Sequence, residues 1–256
     1  MTALNAIVLG IIEGITEFLP ISSTGHLILA SSLLKIPNSD FLKSFEIAIQ
    51  LGAILSVIAL YYKQLFGDIR IIKRVAVAFL PTMVLGFGFY KIMKTFFLGN
   101  NQLVLWSLFL GGILLIGFER FYHKTEDQAE LATIPYKKAF LIGIFQSLAI
   151  VPGVSRSAAT IIGGLSIGLK KKTIVEFSFL LAVPTMAAAT GLDLLKSFNF
   201  FSTDQFQVLL VGFVVSFAVA ILGIKFLLNF TKQHNFVVFG VYRIILALAF
   251  WLILAW

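Results

Sequence analysis

No cysteine occurs anywhere in the 256 residues, which excludes disulfides and thiolate metal sites and leaves the compartment open. Charge is nearly as scarce. Asp, Glu, Lys and Arg together make up 12% of the chain, about half the share of a soluble domain, and a water-soluble protein of this length would need that missing charge on its surface. No polar stretch is long enough for a second domain. No basic residue precedes the first apolar run, which itself carries glutamates, so the N-terminus does not read as a cleavable signal peptide.

What fills the chain instead is apolar: 59% of its residues are hydrophobic. Runs of about twenty such residues recur from end to end, long enough to cross a hydrocarbon core. The expected fold is an all-α polytopic membrane protein, a single integral membrane domain over 1–256 embedded in the bilayer. The net charge of +8 raises the question of nucleic acid. Lys and Arg cluster in short loops, however, as they do in polytopic membrane proteins, and no nucleic-acid partner is expected.

Six segments read as full spans: 44–62, 75–93, 103–121, 174–195, 208–230 and 237–255. Residues 4–34 and 137–168 do not, being interrupted halfway by Pro20 and by Pro152-Gly153. Each half covers roughly 22 Å at 1.5 Å per residue, too short to span. Irregular backbone cannot face lipid, so each reads as a re-entrant helical hairpin with a protein-buried tip. The interruptions also match each other: Gly10, Glu13 and Ser22 correspond to Gly143, Gln146 and Ser155 at an offset of 133. Three spans follow each hairpin. The chain therefore reads as two repeats, 1–122 and 137–256, and an odd number of crossings inverts the second relative to the first.

Basic residues orient this plan. Lys63, Arg70, Lys73, Arg74, Arg120, Lys124, Lys137, Lys138, the three lysines at 170–172 and Lys232 put twelve on one side. Lys35, Lys43, Lys91, Lys94 and Lys196 put five on the other. The richer side is expected to be cytoplasmic and both termini extracytoplasmic.

The polar residues of the hairpins carry the chemistry. Glu13 and Glu17, four residues apart, share one helical face. Two carboxylates at membrane depth are costly without compensation, so a proton or a cation must settle them. Hard oxygen ligands beside a phosphate suit Mg²⁺ or Ca²⁺; the alternative is a protonated carboxyl hydrogen-bonded to backbone. Ser22-Ser23-Thr24-Gly25-His26 opens the second half-helix, where unpaired N–H groups and the helix dipole favour an anion and Gly25 allows its close approach. The same hydroxyls are also good N-caps, and His26 also reads as a hydrogen-bonded core histidine. In "PGVSRSAAT", Ser155, Arg156, Ser157 and Thr160 open another half-helix. An arginine there needs an anionic partner, either Glu13 or Glu17 in a structural salt bridge, or a phosphate in a bidentate clamp. Two helix N-termini and an arginine facing a carboxylate pair suit a phosphate or diphosphate.

"EGITEFLPISSTGHLIL" and "PGVSRSAAT" resemble the two signature segments of the undecaprenyl-pyrophosphate phosphatases, the bacitracin-resistance family. "SFEIAIQLGAIL" from Ser44 and "FGVYRIIL" from Phe239 extend the likeness over nearly the whole chain. The resemblance implies a multi-pass enzyme of the bacterial plasma (inner) membrane that converts undecaprenyl diphosphate, a polyprenyl diphosphate lipid, to the monophosphate. That reaction recycles the lipid carrier of peptidoglycan synthesis and confers bacitracin resistance. It further implies a divalent cation, Mg²⁺ or Ca²⁺, on Glu13 and Glu17, and a site opening to the extracytoplasmic side. Glu13, Glu17, Ser23, His26 and Arg156 are expected to be catalytic, with Ser22, Thr24, Gly25, Ser155, Ser157 and Thr160 binding substrate. Ser23 is the expected nucleophile, activated by His26 or a Glu; attack by water or by His26 itself stands as the alternative. A homodimer is left open. The acid-phosphatase type of lipid phosphatase, which shares "SGH" and "SR" pieces, is excluded. Its second histidine, six residues after the arginine, is here Ile162. The rival class is a lipid flippase or anion transporter built on the same inverted repeat.

Overall fold

A computed structural model describes residues 1–92, 101–122, 129–197 and 203–254. The helices are α1 (Ala3–Thr16), α2 (Ser23–Leu33), α3 (Asp40–Gly67), α4 (Ile69–Ile92) and α5 (Asn101–Phe121), followed by α6 (Tyr136–Ser147), α7 (Arg156–Ser166), α8 (Lys171–Ser197), α9 (Thr203–Gln233) and α10 (Val237–Leu254). Two short helices and three long ones thus follow each other twice, and no strand forms among the described residues. Residues 93 and 255 of two expected spans, together with Lys94 and Lys124, lie outside the described residues, as do the side chains of Lys91 and Lys196.

Five helices, in α3, α4, α5, α8 and α9, are long and apolar enough to cross a membrane. The sixth expected span, α10, forms with 18 residues, about 27 Å long. α3 outruns its expected span at both ends, because Ser39 caps it by accepting from Leu42 N at 3.2 Å and it continues past a kink at Tyr61 to Gly67. Leu80, Val84 and Phe87 on α4, Leu110 and Leu114 on α5, and Leu222 and Phe226 on α9 are exposed. Such apolar surface fits a molecule solvated by lipid rather than water. The protein is a multi-pass membrane protein.

Lipid offers apolar surface no incentive to leave it, so helices associate through small residues and polar bonds. Gly10 of α1 meets α9, where an added Cβ would lie 2.7 Å from Gly212 O. Gly143 of α6 meets α4, where it would lie 2.0 Å from Ala78 O. Each hairpin thus lays its first arm on the second of the three long helices that follow the other hairpin. Ser216 of α9 adds a hydrogen bond to Ile49 O of α3 at 2.7 Å. Between the hairpins, Phe18 stands edge-on to Phe179 of α8 at 5.4 Å, in a core that includes Ile142, Ile161 and Phe177.

The basic loops gather at one end. Arg74 Nε donates to Ile134 O at 2.6 Å and Thr173 Oγ1 to Ala129 O at 3.1 Å. Lys171 Nζ reaches His234 O at 3.3 Å, and Phe236 N donates to Glu119 Oε1 at 2.9 Å. The α3–α4, α5–α6, α7–α8 and α9–α10 connections are thereby held together on one face.

Candidate active site

The two hairpin turns end in the same way. α1 stops at Thr16, whose hydroxyl donates to Ile12 O at 2.6 Å, and Glu17 is its C-cap. The helix therefore ends four residues before Pro20, the break expected from sequence. Each second arm then begins on a serine with positive φ, Ser22 at 70° and Ser155 at 77°. That conformation costs a non-glycine residue about 1–3 kcal/mol. The serines offset part of this by capping: Ser22 Oγ accepts from Gly25 N at 3.4 Å and Ser155 Oγ from Ala158 N at 3.2 Å. The sharp reversal places the next residue of each turn, Ser23 and Arg156, on the wall of one shared cavity.

This cavity has a volume of about 410 Å³. Glu17, Ser22, Ser23, Thr24, Ser155 and Arg156 form a polar part of its wall, while Phe79, Met83, Phe87 and Met186 form an apolar part. Glu17 joins the two hairpins. Its Oε2 accepts the Ser23 hydroxyl at 2.5 Å, a short charge-assisted bond, and its Oε1 accepts from Arg156 Nη2 at 3.1 Å. Both side chains of that ion pair are almost fully buried. Arg156 Nη1 donates to Ser178 O of α8 at 2.8 Å, so the guanidinium is fixed from two sides.

Other expected site residues turn elsewhere. The His26 ring is engaged at both nitrogens, Nδ1 with Ser22 O at 2.7 Å and Nε2 with Tyr242 OH at 2.7 Å. A carbonyl can only accept, so Nδ1 carries the proton and Nε2 accepts from the phenol. His26 lines a second cavity with Tyr242, Leu246 and Phe250, between the first hairpin and α10. Ser157 Oγ donates to Phe18 O at 2.7 Å, tying one turn to the other. Thr160 Oγ1 meets Ser178 Oγ at 2.6 Å and supports the residue that holds Arg156. Gly25 packs against Val104 and Leu108 of α5. Glu13 is fully buried, and neither carboxylate oxygen meets a hydrogen-bond donor among the described residues.

Several wall residues escaped the sequence reading. Gln50, Thr82, Gln146 and Thr185 add polar groups to the cavity, with Gln146 Nε2 donating to Thr82 Oγ1 at 2.8 Å and to Thr185 Oγ1 at 3.0 Å. Gln146 was visible as the counterpart of Glu13 at the offset of 133. Threonines inside apolar spans carried no comparable signal. Among the described residues no group of three or more His, Cys, Asp or Glu side chains is placed to hold a metal ion. The oxygens that suit a hard cation are the pair of Glu13, which meet no donor among the described residues, with Glu17 one turn on, whose oxygens already accept from Ser23 and Arg156 and offer only their remaining lone pairs. Two carboxylates completed by substrate oxygens and water are a usual donor set for such an ion.

Residues 6–249 match the family model described as Bacitracin resistance protein BacA. The chain is 51% identical over 250 residues to an undecaprenyl-diphosphatase of Aquifex aeolicus, covering 98% of each chain. It is 54% identical over 254 residues to an undecaprenyl-diphosphatase of Sulfurihydrogenibium sp., covering 98% of this chain and 99% of that one. A third protein of that name, from Wolinella succinogenes, is 50% identical over 252 residues, covering 98% of this chain and 97% of its own.

Proposed function

The chain belongs to the bacitracin-resistance family, and from that premise we propose how its hairpin site works as an undecaprenyl-diphosphatase. The enzyme hydrolyses undecaprenyl diphosphate to undecaprenyl phosphate and inorganic phosphate. The observation that carries the mechanism is the buried chain Ser23–Glu17–Arg156, which joins a nucleophile, a base and a cation across the two hairpins.

Glu17 takes the Ser23 proton as Oγ attacks the terminal phosphorus. The bond from that phosphorus to the bridging oxygen breaks, undecaprenyl phosphate leaves with the proton from Glu17, and a phosphoserine remains. Water then attacks the phosphoserine and passes a proton to Glu17. The phosphorus–Oγ bond breaks, Ser23 recovers a proton from Glu17, and inorganic phosphate departs. Arg156 turns one N–H toward the terminal phosphoryl oxygens and stabilises the charge that spreads over them. The first turns of α2 and α7 offer backbone N–H groups to the same oxygens. Ser22, Thr24 and Ser155 line the diphosphate end, and the apolar wall takes the first isoprene units. His26 stays outside the chemistry, because Ser22 and Tyr242 occupy both its nitrogens.

Glu13 and Glu17 would hold a divalent cation, Mg²⁺ or Ca²⁺, and its charge would offset that of the diphosphate. The two halves are read as inverted repeats, supported by three long helices after each hairpin and by the reciprocal packing of α1 on α9 and α6 on α4. The basic end faces the cytoplasm of a bacterial plasma membrane, with both termini and the site mouth extracytoplasmic. Phosphate release from undecaprenyl diphosphate by the purified protein, with and without a chelator, tests this reading. Release that stops on chelation supports it, and no release under any cation contradicts it.

A further inference from the structure

Arg243 lies in the middle of α10, fully buried, and pairs with no carboxylate among the described residues. Arginine has five N–H donors, and here every one is used on a backbone carbonyl. Nε donates to Leu108 O at 3.3 Å. Nη1 donates to Pro20 O at 3.3 Å and Val154 O at 3.0 Å. Nη2 donates to Ser107 O at 2.9 Å and Gly153 O at 3.0 Å. Pro20 belongs to the first hairpin turn, Gly153 and Val154 to the second, and Ser107 and Leu108 to α5. α5 makes room for the guanidinium at Gly111, where an added Cβ would stand 2.1 Å from Nη2.

We propose that Arg243 is a positioning residue that sets the two hairpin turns in register, and so holds Ser23 and Arg156 on the two oxygens of Glu17. Resting on the phosphatase mechanism above, the inference assigns Arg243 no contact with substrate. Its partners in the turns lie one or two residues before the strained caps, Pro20 before Ser22 and Gly153 and Val154 before Ser155, and these caps set Ser23 and Arg156 on the cavity wall. Carbonyls freed from helix geometry at membrane depth must find donors in the protein. One planar fork supplying both turns makes their separation a single fixed quantity. Lysine has three donors and no plane, so it keeps the charge and loses the register.

The test uses full-length protein carrying Arg243→Lys or Gly111→Ala. The second variant keeps the charge and all five donors and only displaces the guanidinium. In each, kcat for undecaprenyl diphosphate is expected to fall roughly 10- to 100-fold per folded molecule with KM within about threefold, since small misplacement of reacting groups costs rate. Arg243→Lys should add little to an Arg156→Lys enzyme, because coupled residues are non-additive. Amide hydrogen exchange at both turns, 17–22 and 150–155, should rise together in Gly111→Ala. Unchanged kcat in Gly111→Ala, multiplicative losses in the double variant, or exchange rising at one turn alone would each overturn the proposal. The exchange readout needs no turnover, so failure of the clamp and failure of the phosphatase reading are told apart by the wild-type rate.

Discussion

Ser23 and Glu17 meet across the first hairpin turn with Oγ 2.5 Å from Oε2, while the other oxygen of Glu17 receives Arg156 from the second hairpin at 3.1 Å. The carboxylate therefore accepts from both turns at once, from the Ser23 hydroxyl on one side and the Arg156 guanidinium on the other. Neither hairpin can form the site alone, and what each contributes is of opposite chemical character.

Glu17→Gln keeps the shape and removes the proposed base. Turnover should fall about 10²- to 10⁴-fold, the usual worth of a general base, while the amide still accepts from Arg156. Steady-state phosphate release checks this. A variant within a few-fold of wild type, about 1 kcal/mol in the barrier, would remove Glu17 from the base role.

Arg156→Lys should not rescue activity. The fork bridges Ser178 O and Glu17 Oε1 at once, and a single ammonium on a flexible stem does not reproduce that plane. Arg156→Ala should also lower stability by roughly 3–5 kcal/mol, because a buried Glu17 loses its partner. Wild-type kcat/KM with lysine would show that charge alone suffices.

His26→Gln and Tyr242→Phe separate a structural histidine from a catalytic one. Tyr242→Phe removes one hydrogen bond and should cost about 0.5–1.5 kcal/mol of stability, with kcat within roughly tenfold of wild type. His26→Gln should behave likewise. A fall in kcat of His26→Gln comparable to that of Glu17→Gln, at unchanged thermal midpoint, would return His26 to the mechanism.

Glu13 offers two buried oxygens that meet no hydrogen-bond donor among the described residues. Chelation should abolish phosphate release, and Mg²⁺ or Ca²⁺ should restore it. Glu13→Gln should raise the cation concentration needed for half activity at least tenfold, about 1.4 kcal/mol, without unfolding the protein. An unchanged cation requirement would detach Glu13 from the metal.

The two hairpins were legible because Pro20 and Pro152-Gly153 interrupt apolar runs and polar residues follow at matching offsets. The pairing of Glu17 with Arg156 was legible as one of two readings, since intramembrane charges need partners. The direction of His26 was not: Ser23 and His26 are three apart and nominally share a helical face, but a phenol 216 residues away captures the ring. Ser157 and Thr160 fitted a phosphate site by type, yet their hydroxyls are spent on Phe18 O and on Ser178 Oγ. Arg243 was visible as an arginine inside an apolar span. Its five acceptors come from three separate segments, and local pattern carries no trace of them.

Acid quench of the enzyme during turnover, followed by peptide mapping, distinguishes Ser23 from His26 and water as the attacking group. An acid-stable phosphoryl group is expected on Ser23, absent from Ser23→Ala, whose turnover falls below roughly a tenth of wild type, a barrier change above about 1.4 kcal/mol. An acid-labile phosphoryl group on His26, or Ser23→Ala turning over near the wild-type rate, would contradict it and remove Ser23 as the attacking group.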